Sequence, residues 1–328
     1  MDIYLDESGT FATDAQGRTV GVVGALVVTE SQLPILERRY AQLRPFLPKD
    51  RGEVKGRLLD ESEVARVINI GRRSGLIYEA TVVDLLPEHG GAIEEHRQAQ
   101  CDCLTKNLTE QHQPELVAQI YEMRERLERT PPQLYVQSVA TFDLLWRTLQ
   151  HATVYYSQRE PHTLARFRWV VDAKSPTGIT DWEDGWGKVV KPFMQSHSLR
   201  EPFTQLEEGD YSHMAAKEMP MPDYLVEKFP RLKGESGLSL HDAFKEFEFS
   251  PRATTGLEVV DVITNALRRG LTGRLAEAGW QGIAGIMIHR AKPTYVHPIG
   301  FGPDEREVDR VSAAVLRKLG SGGRSMLT

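Results

Sequence analysis

From Ile3 onward the chain sets short apolar runs between turn residues. Residues 3–8 (Ile-Tyr-Leu-Asp-Glu-Ser) are apolar at first, end in acids and stop at Gly9, which predicts a strand. Residues 19–29 are almost continuously apolar, as in a strand buried on both faces. Asp14, Gln16 and Gly17 lie between the two runs, so a hairpin is expected. Ser31 is placed to cap a helix to about Arg44, which Pro45 and Pro48 end. Residues 75–84 predict a third strand.

The middle of the chain, about 93–152, has a helical pattern with breaks at Pro114 and at Pro131-Pro132. A strand at 166–172 and a helix at 181–195 follow. Segment 197–241 has little periodicity and is expected to be a long loop or insertion. Strands are then predicted at 243–249, 283–289 and 294–299, a helix at 255–272, and a terminal helix at 303–319. Three leading strands imply an antiparallel meander, and later strands separated by helices imply parallel crossovers. The expected fold class is α/β: a ribonuclease-H-like mixed sheet with helices on both faces. Its domain would span 1–300, with a helical insertion at about 90–155 and a loop insertion at about 197–241. Residues 301–328 would form a C-terminal helix and tail.

Composition narrows the function classes. The 328 residues are 40% hydrophobic and 26% charged, which fits a globular protein. The net charge of −6 argues against a protein that coats nucleic acid by bulk attraction, and leaves room for a local phosphate site. No apolar run is long enough to span a bilayer, and the start of the chain lacks a basic, then apolar leader. Cys101 and Cys103 make neither a disulfide framework nor a zinc site. A cytoplasmic protein without a membrane partner is the expectation.

The chemistry is concentrated in acids. Asp6 and Glu7 close the first strand and should point to opposite faces, one of them into a cleft. Asp172 closes the 166–172 strand and is followed by Lys174. On the helix around Leu257, the apolar stripe is Leu257, Val260, Ile263 and Leu267, and Asp261 falls about 40° from Leu257 at roughly 100° per residue. A carboxylate beside the core-facing stripe is costly without a cation or donors. If Asp6, Asp172 and Asp261 converge, repulsion raises their pKa values unless Mg²⁺ or Mn²⁺ sits between them. Glu53 is a further candidate ligand, and Lys55, with Arg51 and Arg57 beside it, a candidate phosphate contact.

These residues carry a resemblance. Tyr4-Leu5-Asp6-Glu7-Ser8-Gly9 resembles the opening Y-[IL]-D-E-S-G strand of domain-of-unknown-function family 3800. Glu53-Val54-Lys55 is similar to that family's E-x-K element, and Asp172 to its mid-chain strand ending in Asp. Ser250 and Gly256-Leu257-Glu258-Val259-Val260-Asp261-Val262-Ile263 are similar to its late serine and G-L-Q-x-A-D-x-[IV] helix, with Glu258 in place of Gln and Val260 in place of Ala. The likeness covers roughly 3–270. It implies a ribonuclease-H-like fold and metal-dependent nucleic-acid cleavage in phage defence or mobile-element control, with Asp6, Asp172 and Asp261 as the acidic cluster and Glu7 and Glu53 in support.

The leading expectation is therefore a Mg²⁺- or Mn²⁺-dependent nuclease with nucleic acid, DNA or RNA, as partner, and with a second copy or a defence-system protein as further partners. The catalytic set is Asp6, Asp172, Asp261, Glu7, Glu53 and Lys55, and the metal ligands are Asp6, Asp172, Asp261 and Glu53. One alternative is a non-catalytic ribonuclease-H-like scaffold that binds nucleic acid or protein. The other is a haloacid-dehalogenase-type phosphatase, because Asp6-Glu7-Ser8-Gly9-Thr10 partly matches its D-x-[DS]-x-T strand end with Asp6 as nucleophile. That class does not begin with a hairpin. Trp182 and Trp186 suit a packed helix face better than base stacking, and Asp60-Glu61-Ser62-Glu63 reads as a capping box.

Overall fold

The computed structural model describes the chain except residues 16, 107, 111, 174–177, 179, 199–200, 202, 222, 291–294 and 302–308. It also leaves aside the side chains of residues 88, 181, 182, 184–188, 191, 196, 217, 218, 224, 225, 228, 236 and 237. Lys174 and the side chains of Trp182 and Trp186 therefore lie outside the described residues, as does the start of the expected terminal helix.

The strands are β1 (Asp2–Gly9), β2 (Thr19–Val28), β3 (Lys49–Asp50), β4 (Glu53–Val54), β5 (Ile77–Leu85), β6 (Arg168–Asp172), β7 (Lys217–Pro220), β8 (Ser236–Ser239), β9 (Glu246–Ser250) and β10 (His297–Ile299). The helices are α1 (Leu33–Leu43), α2 (Glu61–Ser74), α3 (Gly90–Thr105), α4 (Pro114–Arg129), α5 (Pro132–Tyr156), α6 (Asp181–Ser198), α7 (Asp223–Lys228), α8 (Thr255–Leu271), α9 (Glu277–Trp280) and α10 (Arg310–Leu319). Six strands form one sheet in the order β10-β5-β2-β1-β6-β9. β1, β2 and β5 are antiparallel neighbours, whereas β6 runs parallel to β1, β9 parallel to β6, and β10 parallel to β5. The hairpin and the later parallel crossovers predicted by the pattern are both present.

Strand alternation splits the core in two. Tyr4, Val22, Leu26, Tyr78, Ala80, Val82 and Val170 face one way, against α1, α2, α8, α9 and α10. Ile3, Leu5, Val23, Val27, Ile77, Val83, Trp169 and Val171 face the other way, chiefly against α5. α5 is apolar enough to seal that face, and α3 and α4 pack outside it. Asp60 caps α2 in a reciprocal box with Glu63.

α8 lies close on β1 and β2 because the strands leave room for it. A Cβ on Gly24 would come to 2.2 Å from Thr264 Oγ1 and 2.5 Å from Tyr78 Oη. Gly24→Ala is therefore expected to lift α8 and cost about 1–3 kcal/mol through overpacking. A lower urea midpoint at unchanged slope would show it, and an unchanged midpoint would contradict it.

Two predicted strands differ. Residues 281–286 form a 3-10 helix, and beyond it only an isolated bridge joins Ile288 to Arg324. Ile283 and Ile286, both buried, follow a three-residue period that an apolar run alone does not reveal. β9 starts later than predicted, since residues 242–244 turn so that Phe244 stacks on Trp169 at 5.0 Å and Ala243 O accepts Trp169 Nε1 at 2.8 Å. Segment 197–241 is not all loop: it contains the β7–β8 hairpin and α7. The C-terminal residues are tied to the body, with Arg159 donating to the carbonyls of Ser325, Met326 and Leu327. No helix among the described residues is long and apolar enough to cross a membrane.

Candidate functional site

Parallel register brings two of the acids together. β1 and β6 pair Tyr4 with Val170 and Leu5 with Val171, so Asp6 and Asp172 follow side by side at the strand ends. Both project to the Tyr4–Val170 face, where α8 lies. Asp6 pairs with Gly24 on its other side, beneath Thr264 of α8. Burial raises the pKa of Tyr78; the hydrogen bond to Thr264 opposes this, and the charge of nearby Asp6 adds to it.

Asp261, one turn before Thr264, receives the Gly56 N–H on Oδ2 at 2.6 Å. Gly56 is required there, since a Cβ would come to 2.9 Å from Val262 Cα and 3.0 Å from Asp261 O. This contact brings in the segment that carries Glu53 and Lys55. β3 and β4 form a minimal hairpin turned by Arg51 and Gly52, both with positive φ. Lys55 Nζ lies 2.8 Å from Glu53 Oε2.

The electrostatics show that these groups share one space. Burial pushes the Asp172 carboxyl up; Lys55 pulls it back, while Glu53 and Asp261 push it further, and the net shift is upward. Burial also pushes Asp261 up, only partly offset by the Gly56 N–H, Lys55 and Arg57. Burial works against the charge on Lys55, yet Glu53, Asp172 and Asp261 outweigh it and raise its pKa. The lysine is thus paired with Glu53 and feels the charges of Asp172 and Asp261 at longer range.

Glu7 is not part of this group. Alternation turns it to the opposite face, where it lines a small cavity with Leu5, Val23, Gln137, Thr141, Leu144 and Val171, a cavity that Asp6 and Gly24 also border. Glu258 adds charge beside Asp261 and helps push its carboxyl up, but that charge is paired. It is buried in a bidentate pair with Arg44, at 2.7 Å for both bonds, and accepts the Val54 N–H at 3.0 Å. Burial pushes its carboxyl up, but these donors and Tyr40 outweigh burial and hold it below its ordinary value. Its role is to fix the Glu53–Lys55 segment to α8. Ser250 pairs with Asp172, but its hydroxyl is used by Arg252 O at 3.0 Å.

The oxygen donors suit Mg²⁺ or Mn²⁺ chemically, and two of the carboxylates hold protons more tightly than usual. Their spacing is not that of a finished cage. Among the described residues, no three His, Cys, Asp or Glu side chains are grouped closely enough to hold a metal ion.

Two polar groups escaped sequence reading. One is Ser8, Asn265 and Arg268, which continues the row of acids along β1 and α8. The other is a buried network on the opposite face. There Glu79 of β5 meets Arg290 and lies 3.3 Å from His151 Nδ1, while Asp143 pairs with Arg147 at 2.9 Å and accepts Thr81 Oγ1 at 2.8 Å. Asp143, Arg147 and His151 recur every four residues along a helix that has no other charged residue, and that spacing is the available signal.

No protein-family model matches the chain, and no curated protein or solved structure matches it significantly.

Proposed function

We propose that this chain is a ribonuclease-H-like, metal-dependent nuclease, as its resemblance to family 3800 implies. The sheet supports the fold reading: a three-stranded antiparallel meander, then two strands added in parallel on the β1 side. The observation that carries the function is the β1–β6 register, which sets Asp6 and Asp172 next to each other on the face crossed by the helix that bears Asp261. Asp6, Asp172, Asp261 and Glu53 would hold Mg²⁺ or Mn²⁺. When bound, such an ion supplies Lewis acidity at a phosphoryl oxygen and lowers the pKa of water. Lys55 would leave Glu53 to steady the scissile phosphate, and the three hydrogen bonds of Glu258 with Arg44 and Val54 keep Lys55 in reach.

The scaffold alternative has one observation in its favour: Lys55 already offsets Asp172 and Asp261, as it would in a purely structural ion network. Cleavage and metal binding separate the two. The nuclease reading expects Mg²⁺- or Mn²⁺-dependent cutting of DNA or RNA that stops with EDTA. Absence of cutting on single- and double-stranded DNA and RNA, together with absence of Mn²⁺ binding by calorimetry, would leave only the scaffold.

The raised carboxyl pKa values give a second, independent readout. Stability from Asp172 and Asp261 is present below their unfolded pKa, about 4, and is lost as pH rises through the higher folded values. In EDTA, Asp172→Asn should therefore melt higher than the native chain at neutral pH and no higher in acid. Mn²⁺ should raise the melting temperature of the native chain more than that of the variant. Equal responses would count against ion binding at these acids.

A further inference from the structure

Beyond Asp6 on the same face of β1 comes Ser8, about 7 Å further along the strand. Beyond Asp261 on α8 come Asn265 and Arg268, one and two turns on. The two rows meet: Ser8 Oγ accepts from Asn265 Nδ2 at 3.2 Å and from Arg268 Nε at 3.0 Å. With both lone pairs of Ser8 engaged, its own proton is left to give. Among the described residues, Arg268 donates through Nε alone and no carboxylate pairs with it, so its two terminal nitrogens also have protons to give.

This placement is unusual for a basic residue in the last turn of a helix, which ordinarily serves the terminal carbonyls. Arg269 does serve carbonyls, donating to Gly56 O and Leu59 O at 3.1 and 2.8 Å. Arg268 instead reaches back across the end of β1. Gly9 clears its path: with φ of +102°, it occupies a conformation open to glycine, and a Cβ there would come to 2.6 Å from Arg268 Cδ. Burial together with Arg274 and Arg269 makes the charge of Arg268 costlier than usual, a cost that an anion would relieve.

We infer that Arg268 and Ser8 form a phosphate-binding arm of this site, which grips a backbone phosphodiester of nucleic acid next to the bond facing the acids. The inference rests on the proposed nuclease reading for what the neighbouring acids do, and on hydrogen-bond geometry for the arm itself. A guanidinium with two open terminal nitrogens presents a fork to phosphate oxygens, and the serine hydroxyl adds a third donor.

The test measures binding without cutting, in an Asp261→Asn background, with a short fluorescent single-stranded oligonucleotide followed by anisotropy across a salt series. Arg268→Gln should weaken binding about tenfold and lower the slope of log K against log salt by about one. Arg268→Lys should keep the slope but recover only part of the affinity, since it lacks the fork. Ser8→Ala should weaken binding several-fold. In the otherwise native chain, Arg268→Gln should raise KM more than it lowers kcat. Unchanged affinity and slope in Arg268→Gln would overturn the inference, as would a native chain that binds neither DNA nor RNA. If Arg268→Gln fails to fold by circular dichroism, undiminished binding by Ser8→Ala overturns it instead. A chain that binds the oligonucleotide through Arg268 yet cuts neither DNA nor RNA with Mg²⁺ or Mn²⁺ would sink the nuclease reading while leaving the binding result for Arg268 intact.

Discussion

Asp261→Asn is expected to reduce metal-dependent cleavage by roughly 10³-fold, the equivalent of several kcal/mol of lost charge stabilisation at phosphorus. The fold should survive, because the asparagine carbonyl can accept the Gly56 N–H that Asp261 now receives at 2.6 Å. The half-buried carboxylate is moreover held above its ordinary pKa, so at neutral pH its removal relieves a cost. The signature is therefore lost turnover with an unchanged or higher melting temperature in EDTA. Asp6→Asn and Asp172→Asn should behave alike, since register sets them together. Full turnover in any of the three would remove that residue from the mechanism, and full turnover in all would remove the mechanism.

Glu79→Gln should be the most damaging substitution for stability, at about 3–5 kcal/mol, because it strands the buried guanidinium of Arg290. Glu79 is 1% exposed. Burial alone would push its carboxyl up, but Arg290 and His151 outweigh burial and hold it at about 2. A depressed folded pKa stabilises above the unfolded value of 4.5 and loses that contribution as pH falls through about 2. The native chain should thus weaken with acid over that window more steeply than the variant. Pairing Glu79→Gln with Arg290→Met should recover much of the loss in urea unfolding. A double variant no more stable than Glu79→Gln would show that the pair is not the source.

Much of the candidate site was legible because its signals are local. An apolar strand ending in Asp6, another ending in Asp172, and an acid beside the apolar stripe of α8 are all visible over a few residues. Alternation even separates Asp6 from Glu7, although Glu7 was grouped with the others by resemblance. What stayed hidden depends on partners distant in the chain. Nothing near Glu258 reveals that Arg44 neutralises it, and nothing near Ser8 reveals Arg268. The apolar run at 281–286 fits either a strand or a tight helix until the rest of the core is in place. The segment 197–241 forms its β7–β8 pairing from residues with no clear alternation, so no period betrays it.

The attachment of the β3–β4 hairpin to α8 decides how a ligand reaches the acids. Val54 N–H to Glu258, Gly56 N–H to Asp261, and Arg269 to the carbonyls of Gly56 and Leu59 make four fastenings. At about 1 kcal/mol each, swinging that flap outward would cost roughly 4 kcal/mol, so about one molecule in a thousand would have it open at any moment. The flap is in effect a fixed wall beside Asp261, so on the proposed reading a nucleic-acid strand would have to approach alongside it, where β1 and β6 end.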